Sequence, residues 1–146
     1  LVAIGDLSTS IGAADITEVE MVTTTADKSE GFTISVRVRY NEPVDVVTTG
    51  GTPTLAVTNS NAGSGSGRGP HSLSYASGTG TNELIFSLAI AAANAATNAD
   101  DVLSVGAQTI ALNSGTIKDA SGTASDAALV ISGAVGTAAG TVTVTA

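Results

Sequence analysis

His71 is the one histidine of the chain, and Ser72 follows it. Nucleophilic catalysis uses such a pair: the imidazole takes the hydroxyl proton, and a carboxylate orients the imidazole. No carboxylate stands near either residue in sequence, and a glycine-rich stretch leads into them. A loop of that kind positions a base poorly. The expectation for His71 is an exposed loop histidine. Gly63, Gly65, Gly67 and Gly69 look like a phosphate-binding loop, but such loops lead into a helix N-terminus. Here Pro70 and a strand-forming run follow, and the characteristic lysine is missing. The stretch from Asn59 to His71 is expected to form the flexible, exposed tip of a hairpin.

The carboxylates are the larger reserve of chemistry. Asp6 and Asp15 lie near the start, Glu42 and Asp45 bracket a strand start, Asp100 and Asp101 are adjacent, and Asp119 and Asp126 flank a loop. Calcium takes six to eight oxygens, and loop carboxylates of a sandwich can gather to supply them. Asp100, Asp101, Asp119 and Asp126 are therefore the calcium candidates. No Asp-x-Asp-x-Asp-Gly loop occurs, so solvated turn carboxylates are the default and no other cofactor is expected. Glycoside hydrolysis would need a carboxylate pair in an aromatic-lined cleft. Two Tyr, two Phe and no Trp argue against it. Arg37 and Arg39 share one strand face, and Glu18 and Glu20 have the same spacing. Cross-strand charge pairing on a wet face is preferred to an anion site.

The frame that must hold these residues is 146 residues long, with a net charge of −8 and no cysteine. The length suits one domain with its own core. Five cations, scattered over the chain, argue against nucleic acid and against an anionic membrane surface. Without cysteine there is no disulfide, thiolate zinc site or Cys nucleophile. No apolar run is long enough to span a membrane as a helix. The chain begins at Leu1 without a recognisable signal segment, and a trimmed or processed chain is expected.

Period-two alternation dominates. In Thr33–Tyr40, Ile34, Val36, Val38 and Tyr40 fall on one face and Thr33, Ser35, Arg37 and Arg39 on the other. Leu84, Phe86, Leu88 and Ile90 form a second such face. Shorter pairs are Val19 with Met21, Val44 with Val46, Leu55 with Val57, Ile110 with Leu112, Leu129 with Ile131, and Val142 with Val144. Glycine-rich turns separate them, so eight or nine strands in a sandwich or barrel are expected. Ala91–Asp101 reads as a short crossover with one or two helical turns. No strong internal repeat is found.

The ends differ from the middle. Residues 1–15, with Val2, Ile4 and Leu7, are expected to form an arm or edge strand. Residues 133–146 carry no charge and are expected to form a C-terminal strand containing Val142 and Val144. Such a strand on an open edge invites pairing with another chain. It is either tucked into its own sheet or used in assembly.

The segments Tyr40-Asn41-Glu42-Pro43-Val44, Gly51-Thr52-Pro53-Thr54-Leu55 and Ser77-Gly78-Thr79-Gly80-Thr81-Asn82 resemble bacterial immunoglobulin-like repeats. So do Leu103-Ser104-Val105 and the run from Ile110 to Gly122. Such repeats build large secreted adhesins, and similar modules occur on phage virions. The resemblance covers about Ile16 to Ile131. It implies a β-sandwich, no catalysis and a spacing, adhesion or decoration role. Adhesin repeats usually run into an Asp- and Pro-rich calcium-clamping linker, whereas residues 133–146 are uncharged. The family's turn commonly ends in Asn, where this chain has Thr123.

The expected fold is therefore an all-β, immunoglobulin-like antiparallel β-sandwich over residues 16–132 with extended N- and C-terminal segments. The expected role is non-enzymatic and structural: a virion capsid decoration or cement subunit at the virion surface. Its partners would be protein subunits, itself or a capsid protein, gripped through Val2, Ile4, Leu7, Val142 and Val144. One alternative is a repeat of an extracellular or cell-surface adhesin or filament. Another is a carbohydrate-binding module that takes a glycan on its loops.

Overall fold

Alternation over Ile34, Val36, Val38 and Tyr40 builds the central strand, because each of these side chains must leave water on the same side. In the computed structural model, which describes residues 13–61, 68–92, 97–120 and 124–146, all four are buried. That strand, β3 (Phe32–Val47), is flanked by β1 (Ile16–Met21) and β6 (Thr81–Ile90). Across β3 and β6, Val38 faces Leu84, Val36 faces Phe86 and Ile34 faces Leu88, which aligns the two apolar faces. β5 (His71–Ser77) pairs with β6, and β4 (Thr54–Asn61) pairs with β5. β7 (Asp101–Ser104) follows β4, and β11 (Thr141–Thr145) follows β7. The path ends at β2 (Ala26–Asp27), and β1 is the edge at its other end.

Two strands change partners part-way and curl the sheet over its own face. β4 pairs with β5 through Thr54–Val57 and with β7 through Thr58–Asn61. β3 pairs with β6 over Phe32–Arg39, then shifts register and pairs with β9 (Thr116–Asp119) through Val44–Val47. β8 (Gln108–Thr109) and β10 (Val130–Ile131) form a second, two-stranded antiparallel sheet, with β10 packed near β1. The result is an all-β, sandwich-like fold. Its interior holds Phe86, Tyr40, Leu55, Leu73, Leu84, Leu103, Ile110, Ile117 and Ile131. Tyr75 and Phe86 meet edge to face, with ring centroids 6.1 Å apart.

The C-terminal end departs from the expectation of one strand over residues 133–146. A short helix, α1 (Gly133–Ala138), precedes β11, and the Ser132 hydroxyl accepts from the Val135 N–H at 3.2 Å. A hydroxyl cap makes a first turn favourable, and the stretch has no apolar alternation to hold a strand. Gly136 lets α1 rest on the main chain of Gly106, where a Cβ would collide. β11 is then paired on both edges, antiparallel with β7 and parallel with β2. Val142 and Val144 are 5% and 1% exposed, so the expectation that they contact neighbouring subunits is corrected. Both serve the chain's own core. The β11–β2 pairing is also a departure from an antiparallel sandwich. Val2, Ile4 and Leu7 lie outside the described residues.

Candidate functional site

The inward face of β4 runs Leu55, Val57, Asn59, Asn61: apolar deep in the sandwich and polar at its rim. The residue opposite Asn61 on β7 is Asp101, and the residue opposite Val57 on β5 is His71. Register alone therefore gathers two amides, a carboxylate and an imidazole at one end of the sandwich. Asp101 is fully buried. Its Oδ1 accepts from Asn61 Nδ2 at 2.8 Å, and its Oδ2 from Asn59 Nδ2 at 3.0 Å and the Asn98 N–H at 2.8 Å. The Arg68 N–H also donates to it. Burial pushes the carboxyl up, but these donors outweigh it and hold the group below the usual carboxylate range.

The expectation of an exposed His71 is corrected: the residue is 6% exposed. Its Nε2 lies 2.8 Å from Asn59 Nδ2. That amide nitrogen also donates to Asp101, so Nε2 is the acceptor and the imidazole is neutral. Burial pulls the His71 pKa below its ordinary value, partly opposed by the Asp101 charge. Ser72 points to the opposite, exposed face of β5, as strand alternation requires. The adjacent pair therefore cannot share a proton. Asn59 Oδ1 and Thr97 Oγ1 are buried without a hydrogen-bond partner among the described residues.

The calcium candidates are divided. Asp101 spends its oxygens on four N–H donors. Asp126 lies exposed and pairs with Lys118 at 2.9 Å. Asp119 is buried at the end of β9, and Asp100 is exposed with a φ of +67°. No group of three His, Cys, Asp or Glu placed to hold a metal occurs among the described residues.

The charge pairing expected on the wet face is present. Glu18 faces Arg39 and Glu20 faces Arg37 across β1 and β3, and Arg39 faces Glu83 on β6. Arg39 Nε donates to Glu83 at 2.9 Å and Nη1 to Glu18 at 3.3 Å, while Arg37 pairs with Glu20. The hydrogen bond from Arg39 holds the Glu83 carboxyl below its usual range.

The outer edge of β1 is the second feature of note. Val22 N–H donates to the Ser35 carbonyl. Alternation of hydrogen bonding from that pair turns the main-chain groups of Val19 and Met21 away from β3. Met21 N–H is taken by the Ala139 carbonyl at 2.9 Å. No comparable bond to Val19 occurs among the described residues. Beside it lies an apolar notch of about 200 Å³, lined by Thr17, Glu18, Val19, Ala134, Val135 and Ala138.

Comparison with protein-family models, with curated proteins and with solved structures finds no match to this chain.

Sequence reasoning missed Asp101 as a structural hub and His71 as a buried residue. One signal was legible. Asn59 and Asn61 have the same spacing as Leu55 and Val57, and therefore the same face.

Proposed function

We propose that this chain is a non-enzymatic structural module of a surface assembly, with a capsid-decorating or cementing subunit of a virion as the leading assignment. One observation carries the reading: β1 presents main-chain groups and an apolar notch at a sheet edge, the geometry by which strands of separate chains join. The ionic side chains support it in a second way. Asp101 ties together the root of the β4–β5 hairpin, Arg37 and Arg39 are matched to carboxylates on neighbouring strands, and Lys118 pairs with Asp126. These groups act on the frame and leave adhesion to the main chain and apolar side chains.

The test is the composition of purified particles. The protein should be present in fixed stoichiometry to the major shell protein, and labelled antibody should reach it from outside. Particles that lack it would overturn the virion assignment.

A repeat of a secreted adhesin is the second reading. The turn at Asn113 and Ser114, both with positive φ, falls in the motif that resembles such repeats. Calcium should then raise the melting temperature, and further copies of the module should flank this one in the parent chain. A glycan-binding module is the third reading. It requires glycan-array binding that is lost when residues 59–71 are altered.

A further inference from the structure

We propose that the edge of β1 and its notch receive residues 1–12 of a second copy of this chain. The inference rests on the assembly reading and names the occupant of one contact. Three observations converge on it.

The seat offers both kinds of contact that strand addition uses. Val19 presents its N–H and C=O outward, between the start of β1 and the point where Ala139 takes over at Met21. Val19, Ala134, Val135 and Ala138 supply the apolar wall. A cavity of about 150 Å³ takes a benzene-sized group. The notch, at about 200 Å³, therefore takes one branched aliphatic side chain. The main-chain bonds give affinity and the notch sets the register.

The occupant has matching chemistry. Residues 1–12 contain Val2, Ile4, Leu7 and Ile11, and Asp6 is their one charge. In a chain of net charge −8 this segment meets little repulsion from another copy. Twelve residues reach roughly 40 Å when extended, more than the roughly 15 Å radius of gyration of a domain this size.

The chain's own segment is the poorer occupant. Asp15 is held to Asn41 through two bonds of 2.9 Å, and the Ala14 carbonyl accepts from Ala128 N–H at 2.8 Å. Residues 14 and 15 are thus gripped on both sides. The 127–129 segment occupies the side along which a returning arm would have to start.

The test uses the full chain. Ala134 is exposed at the mouth of the notch, so Ala134→Arg fills it without touching the core. The unaltered protein should self-associate in sedimentation velocity. Ala134→Arg and Ile4→Asp should each weaken association about tenfold or more, the equivalent of about 1.4 kcal/mol. The double variant should recover part of the loss, since Arg and Asp then meet. Unchanged urea midpoints for both single variants would confirm that the fold is intact. A full chain that is monomeric at every concentration overturns the proposal, as does association indifferent to both variants. A monomer destabilised by Ala134→Arg places the chain's own arm in the notch and also overturns it. Presence on particles with association unaffected sinks this inference alone; absence from particles sinks the assembly assignment.

Discussion

Asn59 and Asp101 lie forty-two residues apart in sequence and 3.0 Å apart in the fold, amide nitrogen to carboxylate oxygen. The same nitrogen stands 2.8 Å from His71 Nε2. One amide thus links the end of β4 to the starts of β5 and β7, and it fixes the imidazole as a neutral acceptor. The root of the hairpin is held by this polar cluster, while apolar packing begins two residues deeper at Val57 and Leu103.

Asp101→Ala should therefore be among the most damaging single changes. It strands the Asn59 and Asn61 amides and two main-chain N–H groups at a buried site. The expected loss is about 3 kcal/mol, since each orphaned buried donor costs on the order of 1–3 kcal/mol and some will find water. Urea denaturation measures it. Proteolysis should cut the 61–71 segment of the variant faster than that of the parent protein. A loss under about 0.5 kcal/mol would show that the cluster is dispensable.

Stability should fall in two stages as pH drops. The folded pKa of His71 lies below its unfolded value of 6.5, so the unfolded chain takes up the proton first. The contribution is complete above about pH 6.5 and is lost as pH falls toward the folded value. Asp101 is also lowered, from 3.8, so its contribution is present above that value and disappears as pH falls through the folded pKa. His71→Gln should abolish the first stage and keep the second. Urea midpoints measured between pH 3 and 8 would separate the two, and a flat profile from pH 7 to 5 in the parent protein would contradict the His71 assignment.

Tyr40 and Phe86 separate packing from hydrogen bonding. Tyr40 is buried, and its hydroxyl donates to the Ala128 carbonyl at 2.9 Å. Tyr40→Phe keeps the ring and should cost about 1–2 kcal/mol. Phe86→Ala empties the centre of the core and should cost about 3–5 kcal/mol. Burial also pushes the Tyr40 phenol above its ordinary value of 10.0. Its contribution is therefore lost as pH rises past the unfolded value, and Tyr40→Phe should flatten the alkaline limb of the stability profile.

Two glycines with positive φ should respond differently to alanine. Gly78 has a φ of +116°, and a Cβ there would collide with the Glu83 carbonyl. Gly106 has a φ of +68° and no heavy atom within 4 Å of its would-be Cβ. Gly106→Ala should cost about 1 kcal/mol for backbone strain alone. Gly78→Ala adds a clash with main chain that cannot move aside, and about 3 kcal/mol is expected. Melting temperatures of the two variants would order them, and equal shifts would mean that the 78–83 turn yields.

The strands and their wet and dry faces were written in the sequence, because alternation depends only on each residue's transfer from water. Ile34, Val36, Val38, Tyr40, Leu84 and Phe86 are buried on the face that the pattern indicated. Ile90 closes that face at 7% exposure and Leu88 is half-buried. The pairing of Glu18 and Glu20 with Arg39 and Arg37 was legible for the same reason, since matched spacing on neighbouring strands leaves few other registers. Helix α1 was not, because Gly133, Ala134 and Ala138 carry no periodic signal and the Ser132 cap decides locally.

Tertiary structure alone decided what the polar residues do. Asp101 reads as a turn carboxylate until β7 lies beside β4 and buries it under two asparagines. His71 reads as a loop residue until β5 pairs with β4 and sets it against Asn59. The fate of Val142 and Val144 turned on whether β11 found partners within its own chain, and that depends on β2 and β7, remote in sequence. Side-chain hydrophobicity is a property of each residue, whereas edge exposure and hydrogen-bond partnership belong to the assembled sheet.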